Sequence, residues 1–233
     1  MIVCISQPRY LPFLGYFHRL SECDLWIHLD TVQYSPRDYE NRNKIKTPQG
    51  WTWLSIPVNS RYRAMIPEVR INYEHCWQYK HWETISMSYR RAPYFVEHVS
   101  RLEPLYRDSQ WEFLRDLNIE STVLLCELLG IKRPRFMRAS ELNAEGAGSD
   151  LILNLCREVG ATYYLSGSEG RNYLNVDSFR DAGIKLRIQN YQHPQYPQQF
   201  GSFEPYMAVI DLLLNCGPDS LNILRRHQAF EDI

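Results

Sequence analysis

Two histidines, several amides, a group of cations and many hydroxyl-bearing rings are the side chains of this 233-residue chain best suited to hold a ligand and move a proton. His193 lies in Tyr191-Gln-His-Pro-Gln-Tyr-Pro197, a stretch that also carries Tyr196 and has no periodicity. The aperiodic segment runs on through Phe200-Gly-Ser-Phe-Glu-Pro205, which is long for a plain connection. An imidazole titrates near neutrality, so His193 is the first candidate for general acid or base. His81, between Lys80 and Trp82 at a predicted helix start, is the second. Each histidine has a structural alternative as a satisfied interior residue.

Binding groups cluster in three other places. The opening loop, Gln7-Pro-Arg-Tyr-Leu-Pro-Phe-Leu-Gly-Tyr16, follows an apolar run and places Gln7, Tyr10 and Gly15 where an open parallel sheet puts its ligands. If the first two strands are parallel neighbours, Gln7 and Asp30 emerge side by side. With Gln33 and Tyr34 they suit sugar hydroxyls or a ribose, unless Asp30 caps the next turn and Gln7 satisfies loop backbone. The second cluster is Asn41-Arg-Asn-Lys-Ile-Lys46, where alternation puts Arg42, Lys44 and Lys46 on one strand face beside Asn43. Arginine forks and lysine point charges hold phosphate or carboxylate, although a charge run also serves as a solvated surface. Residues 35–63 carry six basic and two acidic side chains, a local +4 in a chain of net charge −1. The third cluster, Leu165-Ser-Gly-Ser-Glu-Gly-Arg-Asn-Tyr-Leu174, is a glycine-rich loop between strand and helix. Its backbone N–H groups suit phosphate, with Ser166, Gly167, Arg171, Asn172 and Tyr173 around it. It matches neither a P-loop nor a dinucleotide fingerprint.

Several chemistries have no motif here. There is no Gly-x-Ser-x-Gly elbow, no His-Glu-x-x-His, no EF-hand loop and no Cys-x-x-Cys among the six cysteines. No metal and no cofactor is implied. The near-neutral charge carries no global signature of nucleic-acid binding. The opening Met-Ile-Val-Cys-Ile-Ser lacks a basic region with a long apolar core. No apolar run approaches the ~20 residues of a membrane span. A soluble, cytoplasmic protein is expected, its oligomeric state open. Tyrosine outnumbers phenylalanine 16 to 9, as in a polar cleft lined by rings.

The elements that must position these groups alternate. Strands are predicted at 2–6, 24–29, 135–139, 162–165 and 184–191, and helices at 14–23, 78–91, 111–129, 176–182 and from about 205 to 217. Ser149 is placed as the cap of a further helix closing at Gly160. Between the second strand and the first long helix the pattern turns β-rich, with strands at 51–58 and 65–72 and a Thr47-Pro-Gln-Gly50 turn between Ile45 and Trp51. The expectation is one α/β domain over 1–233: a Rossmann-like, mostly parallel sheet covered by helices on both faces. It carries a basic β-rich insertion at 34–74 and a helical segment at 77–130.

Six motifs together resemble the WbqC-like family, found with genes for bacterial cell-surface polysaccharides. They are Gln7-Pro8-x-Tyr10-Leu11-Pro12-x-x-Gly15-Tyr16-Phe17, Asp30-x-Val32-Gln33-Tyr34, Asn41-Arg42-Asn43-Lys44-Ile45, Tyr164-Leu165-Ser166-Gly167, Tyr191-x-His193-Pro194-x-Tyr196 and Asp211-Leu212-Leu213-x-Asn215-x-Gly217. The resemblance implies a role in surface polysaccharide or amino-sugar biosynthesis in a bacterium. A more distant similarity in fold is to pantothenate synthetase and related nucleotidyltransferases. There a His-x-Gly-His loop clamps ATP; here Phe13-Leu14-Gly15-Tyr16 stands in its place. Arg171, Asn172 and the Gly15 backbone remain able to hold another phosphorylated ligand. Three activities fit these residues. The first is a transferase adding an acyl or aminoacyl group to the amine of a nucleotide-linked sugar, the hairpin cations on the diphosphate and His193 or His81 as base. The second is a non-catalytic nucleotide-sugar binding or scaffold protein of the same pathway. The third is a divergent nucleotidyltransferase or ligase.

Overall fold

The computed structural model describes residues 1–132, 134–226 and 229–233. The apolar residues of β1 (Ile2–Ser6) divide between two faces, as the two-residue period of a strand requires. Val3 and Ile5 enter one core, with Leu25 and Ile27 of β2 (Leu25–His28). Cys4 and Trp26 enter the other. The two strands run parallel with Cys4 opposite Trp26 and Ser6 opposite His28.

Four more strands complete the sheet: β7 (Arg135–Arg138), β8 (Tyr163–Ser166), β9 (Lys185–Asn190) and β10 (Ala229–Asp232). Their order is β10-β9-β8-β1-β2-β7, all parallel except β10. Helices α6 (Gly148–Glu158) and α7 (Val176–Asp181) pack on the face of Val3 through Leu151, Leu155 and Phe179. The opposite face is covered by α1 (Leu14–Ser21), α5 (Leu114–Leu128), α8 (Val209–Cys216) and α9 (Ser220–Arg225). This is the expected mostly parallel sheet between two helical layers. The link from β2 to β7 carries two antiparallel hairpins, β3 (Arg42–Thr47) with β4 (Gly50–Ser55) and β5 (Val58–Asn59) with β6 (Arg70–Ile71). Helices α2 (Trp77–Tyr89), α3 (Phe95–Leu102) and α4 (Pro104–Arg107) follow before α5.

Three local expectations change. The strand predicted at 65–72 is a 3-10 turn at Ile66–Glu68 and a two-residue strand. Pro67 donates no ladder bond, and the Glu68 carboxylate takes the Met65 N–H at 2.8 Å. Ser149 lies inside α6 rather than capping it. Ala147 holds the cap position, and the Ser149 hydroxyl accepts the Asn175 N–H at 2.9 Å instead. Beyond Gly217 the chain adds α9 and β10, which carry no clear apolar period. β10 is held at the sheet edge by ion pairs Arg171–Glu231 and Arg187–Asp232. Among the described residues no helix is long and apolar enough to cross a membrane.

Candidate functional site

A cleft of about 610 Å³ opens at the carboxyl ends of β1 and β8. The connection after β1 leads to one side of the sheet and that after β8 to the other, so the cleft sits at the switch point of the strand order. The opening loop forms one wall. Two buried asparagines hold it: Asn43 donates to the carbonyls of Leu11 at 2.6 Å and Tyr10 at 3.3 Å, and Asn118 to that of Pro8 at 3.2 Å. Leu11 has φ +41, so this clamp also holds the loop in a left-handed conformation that a leucine rarely adopts.

Two guanidinium groups face the cleft. Arg19 packs between the rings of Tyr16 and Trp26, 5.8 and 6.0 Å from their centroids, and its Nη1 donates to Gln189 Oε1 at 2.9 Å. Gln189 is buried and spends its two remaining donors on the Gly15 carbonyl at 3.0 Å and His18 Nδ1 at 2.7 Å. Its carbonyl therefore points at Arg19. His18 stacks on Phe230 at 4.9 Å, and burial, with the charges of Arg19 and Arg225, lowers its pKa to about 4. It is neutral at pH 7, leaving Nδ1 free to accept. Burial also draws Arg19 below the usual guanidinium range, with Arg9 acting in the same direction, yet an arginine keeps its charge at neutral pH. Arg9 lies over the Tyr39 ring at 5.8 Å, and its buried Nε has no hydrogen-bond partner among the described residues. Neither arginine belongs to the ion pairs formed among the described residues.

The second wall is the turn after β8. Ser166 is buried, Gly167 precedes a 3-10 turn at Ser168–Asn172, and Glu169 stands on the rim. A Cβ on Gly167 would lie 2.9 Å from Arg19 Nη1, and one on Gly170 would lie 2.3 Å from Ser166 Oγ. The glycines thus let a guanidinium and a hydroxyl approach the backbone closely. Rings of Phe13, Tyr173, Tyr191 and Tyr206 border the opening, Phe13 meeting Tyr191 edge-on at 6.0 Å. Two cations, a glycine turn and several rings suit a phosphorylated ligand bearing a flat or cyclic group.

Of the residues proposed from sequence, Gln7, Ser166, Gly167 and Tyr173 line this cleft. Gly15 lies outside the lining, where a Cβ would stand 2.6 Å from the Phe13 ring and 3.1 Å from that of Tyr191. Asp30 is fully buried and turned away: it accepts from Ser140 N at 2.9 Å, from Ser140 Oγ at 2.8 Å and from Arg115 at 3.3 Å. Gln33 is exposed in a bridge with Met65, and Tyr34 is buried. Arg42 and Lys44 lie over Trp53 and Trp51 on the hairpin, while Lys46 turns inward to Gln198 and Ser202. Arg171 pairs with Glu231, and Asn172 donates to Glu169 at 2.9 Å. Tyr196 donates to buried Asp211 at 2.9 Å.

The two histidines lie outside the cleft lining. His81 is buried in the helical layer. The Ser55 carbonyl, 3.2 Å away, can only accept, so Nε2 carries the proton and Nδ1 accepts from the Tyr10 hydroxyl at 2.9 Å. Burial lowers its pKa to about 4. His193 sits one ring behind the opening, its centroid 6.2 Å from Tyr191 and 5.0 Å from Tyr206. Its Nδ1 lies 3.0 Å from the Pro194 carbonyl and its Nε2 has no hydrogen-bond partner among the described residues; burial lowers its pKa too. Sequence reasoning passed over Arg9, Arg19 and Gln189. A signal existed for Gln189, an amide inside the strand predicted at 184–191.

Among the described residues no group of three His, Cys, Asp or Glu could hold a metal ion. The WbqC-like protein family matches residues 7–223, spanning both cleft walls and the loop of His193. The chain belongs to that family. It is 33% identical over 226 residues to the uncharacterised protein Rv1507c of Mycobacterium tuberculosis strain H37Rv, covering 96% of this chain and 97% of that protein. No solved structure matches, and the likeness to pantothenate synthetase stays an expectation from sequence.

Proposed function

We propose that the cleft binds a nucleotide-linked amino sugar and that the protein is a transferase acting on the sugar's amine. The observation that supports this most directly is the Arg19 guanidinium, locked by Gln189 against Gly167 at the switch point with no carboxylate paired to it among the described residues. Arg19 and Arg9 take the diphosphate, the 166–170 turn adds backbone donors, and Tyr173, Tyr191 and Tyr206 bracket base and sugar. Gln7 reaches the sugar hydroxyls. Adding an acyl or aminoacyl group to an amine needs orientation, a proton acceptor and a polarised carbonyl. Glu169 on the rim accepts the amine's proton as the nitrogen attacks the thioester carbonyl and returns it to the departing coenzyme A thiolate. His193 lies behind the rings of Tyr191 and Tyr206.

A second reading, a binding protein that leaves its ligand unchanged, is favoured by one observation: neither His81 nor His193 lines the cleft. Incubation with UDP- and dTDP-linked amino sugars and coenzyme A thioesters separates the two. A mass increase on the sugar that Glu169→Gln abolishes supports transfer. Saturable binding with no mass change leaves the binding reading. No thermal shift with any nucleotide sugar sinks both.

A further inference from the structure

We propose that the outer face of the β3–β4 hairpin, continued by Tyr39 and Arg9, binds a short anionic oligosaccharide. Residues 41–67 contain no aspartate or glutamate and five basic side chains. Within the hairpin the antiparallel register sets Lys44 opposite Trp53 and Lys46 opposite Trp51. Cations and rings then form one continuous series. Lys44 Nζ lies 4.6 Å from the Trp51 ring and 5.5 Å from that of Trp53. Arg42 lies 4.3 Å from Trp53, Trp53 lies 6.0 Å from Tyr39, and Arg9 lies 5.8 Å from Tyr39. Arg9 is also a cleft residue, so the series runs from the cleft out along the hairpin.

This face differs from an ordinary solvated one in two respects. Its Arg42 and Lys44 rest on rings and form no ion pair among the described residues, which holds them in place while leaving their charge uncompensated. Its outermost ring, Trp51, is 46% exposed, an unusual position for an indole. Pyranose rings pack their C–H faces on indole and phenol, and carboxylates on those sugars meet the neighbouring ammonium and guanidinium groups. The size of the charged region selects a short partner. A net +4 over residues 35–63 in a chain of net −1 leaves −5 for the rest, so a long polyanion running off the hairpin meets repulsion.

This surface shares Arg9 with the cleft, and the test keeps the two apart by changing only hairpin residues. Tryptophan fluorescence of the full chain is titrated with hexagalacturonate, with neutral maltohexaose, with oligo-dT of ten nucleotides and with phosphatidylserine vesicles. The expected result is saturable quenching by hexagalacturonate, weakened about tenfold or more by Lys44→Gln or Trp51→Ala. Maltohexaose binds at least tenfold more weakly, and both variants keep their melting temperature and nucleotide-sugar shift. Equal affinity for maltohexaose overturns the charge argument. Tighter binding of oligo-dT or vesicles overturns the choice of partner. Absence of saturable quenching by hexagalacturonate overturns the proposal, whatever the cleft binds.

Discussion

Adding one methyl group at Gly167 tests whether the Arg19 guanidinium anchors the ligand. The backbone there has φ −70 and ψ 170, which alanine adopts freely, so Gly167→Ala introduces no backbone strain. The new Cβ would stand 2.9 Å from Arg19 Nη1, inside contact distance, and the guanidinium must retreat by several tenths of an ångström. Retreat stretches the 2.9 Å bond to Gln189 and moves the fork off the anion. A charge-assisted hydrogen bond contributes about 1.5–3 kcal/mol. The expected loss in nucleotide-sugar affinity is therefore roughly 10- to 150-fold. Folding stability should fall by no more than about 2 kcal/mol, or roughly 4–8 °C in a chain of this size. The clash is with the end of one side chain, and alanine recovers some unfolded-state entropy. Calorimetric titration beside a thermal melt reads both quantities, and Arg19→Lys, which keeps the charge without the fork, should weaken binding comparably. An unchanged dissociation constant in both variants would refute the anchoring role.

Two further outcomes follow from other parts of the structure. Burial lowers the folded pKa of His18 and His81 to about 4 and of His28 to about 3, below the unfolded value near 6.5. Their contribution to stability is present above pH 6.5 and is lost as pH falls toward 4, because the unfolded chain takes up protons first. Glu40, raised to about 7 by burial, works the other way, losing stability between about pH 4.5 and 7. Urea unfolding should show stability rising from pH 4.5 to 6.5, more steeply in Glu40→Gln; a flat profile contradicts the buried neutral histidines. Replacing Asn43 by alanine leaves the Tyr10 and Leu11 carbonyls without their donor, a cost of about 1–3 kcal/mol. Faster amide exchange concentrated in residues 7–13 is the expected signature, and uniform exchange across the chain counts against a loop clamp.

Much of the scaffold was legible because its signals are local. The unbroken apolar runs Ile2-Val-Cys-Ile5 and Leu25-Trp-Ile27 report strands buried on both faces. Glycine-rich Ser166-Gly-Ser-Glu-Gly170 reports a turn, and the opening loop's place after the first strand locates a cleft wall. Such features depend on a few neighbouring residues, so the sequence by itself determined the fold class and two of the segments that meet at the site. It said less about β10, whose residues pair because β9 leaves an edge open.

Which side chains face the cleft was decided by tertiary structure. Arg19 and Gln189 are 170 residues apart and meet only because β9 joins the sheet beside β8. Asp30 emerges next to the end of β1, as parallel pairing requires, yet Ser140 from 110 residues away takes both its oxygens. His81 looks like a free imidazole in sequence and is a hydrogen-bonded interior residue because Tyr10 and Ser55 fold onto it. A carboxylate or imidazole has the same chemistry in the chain as in the fold. Its availability depends on burial and on distant partners, and those are fixed by the order of the strands.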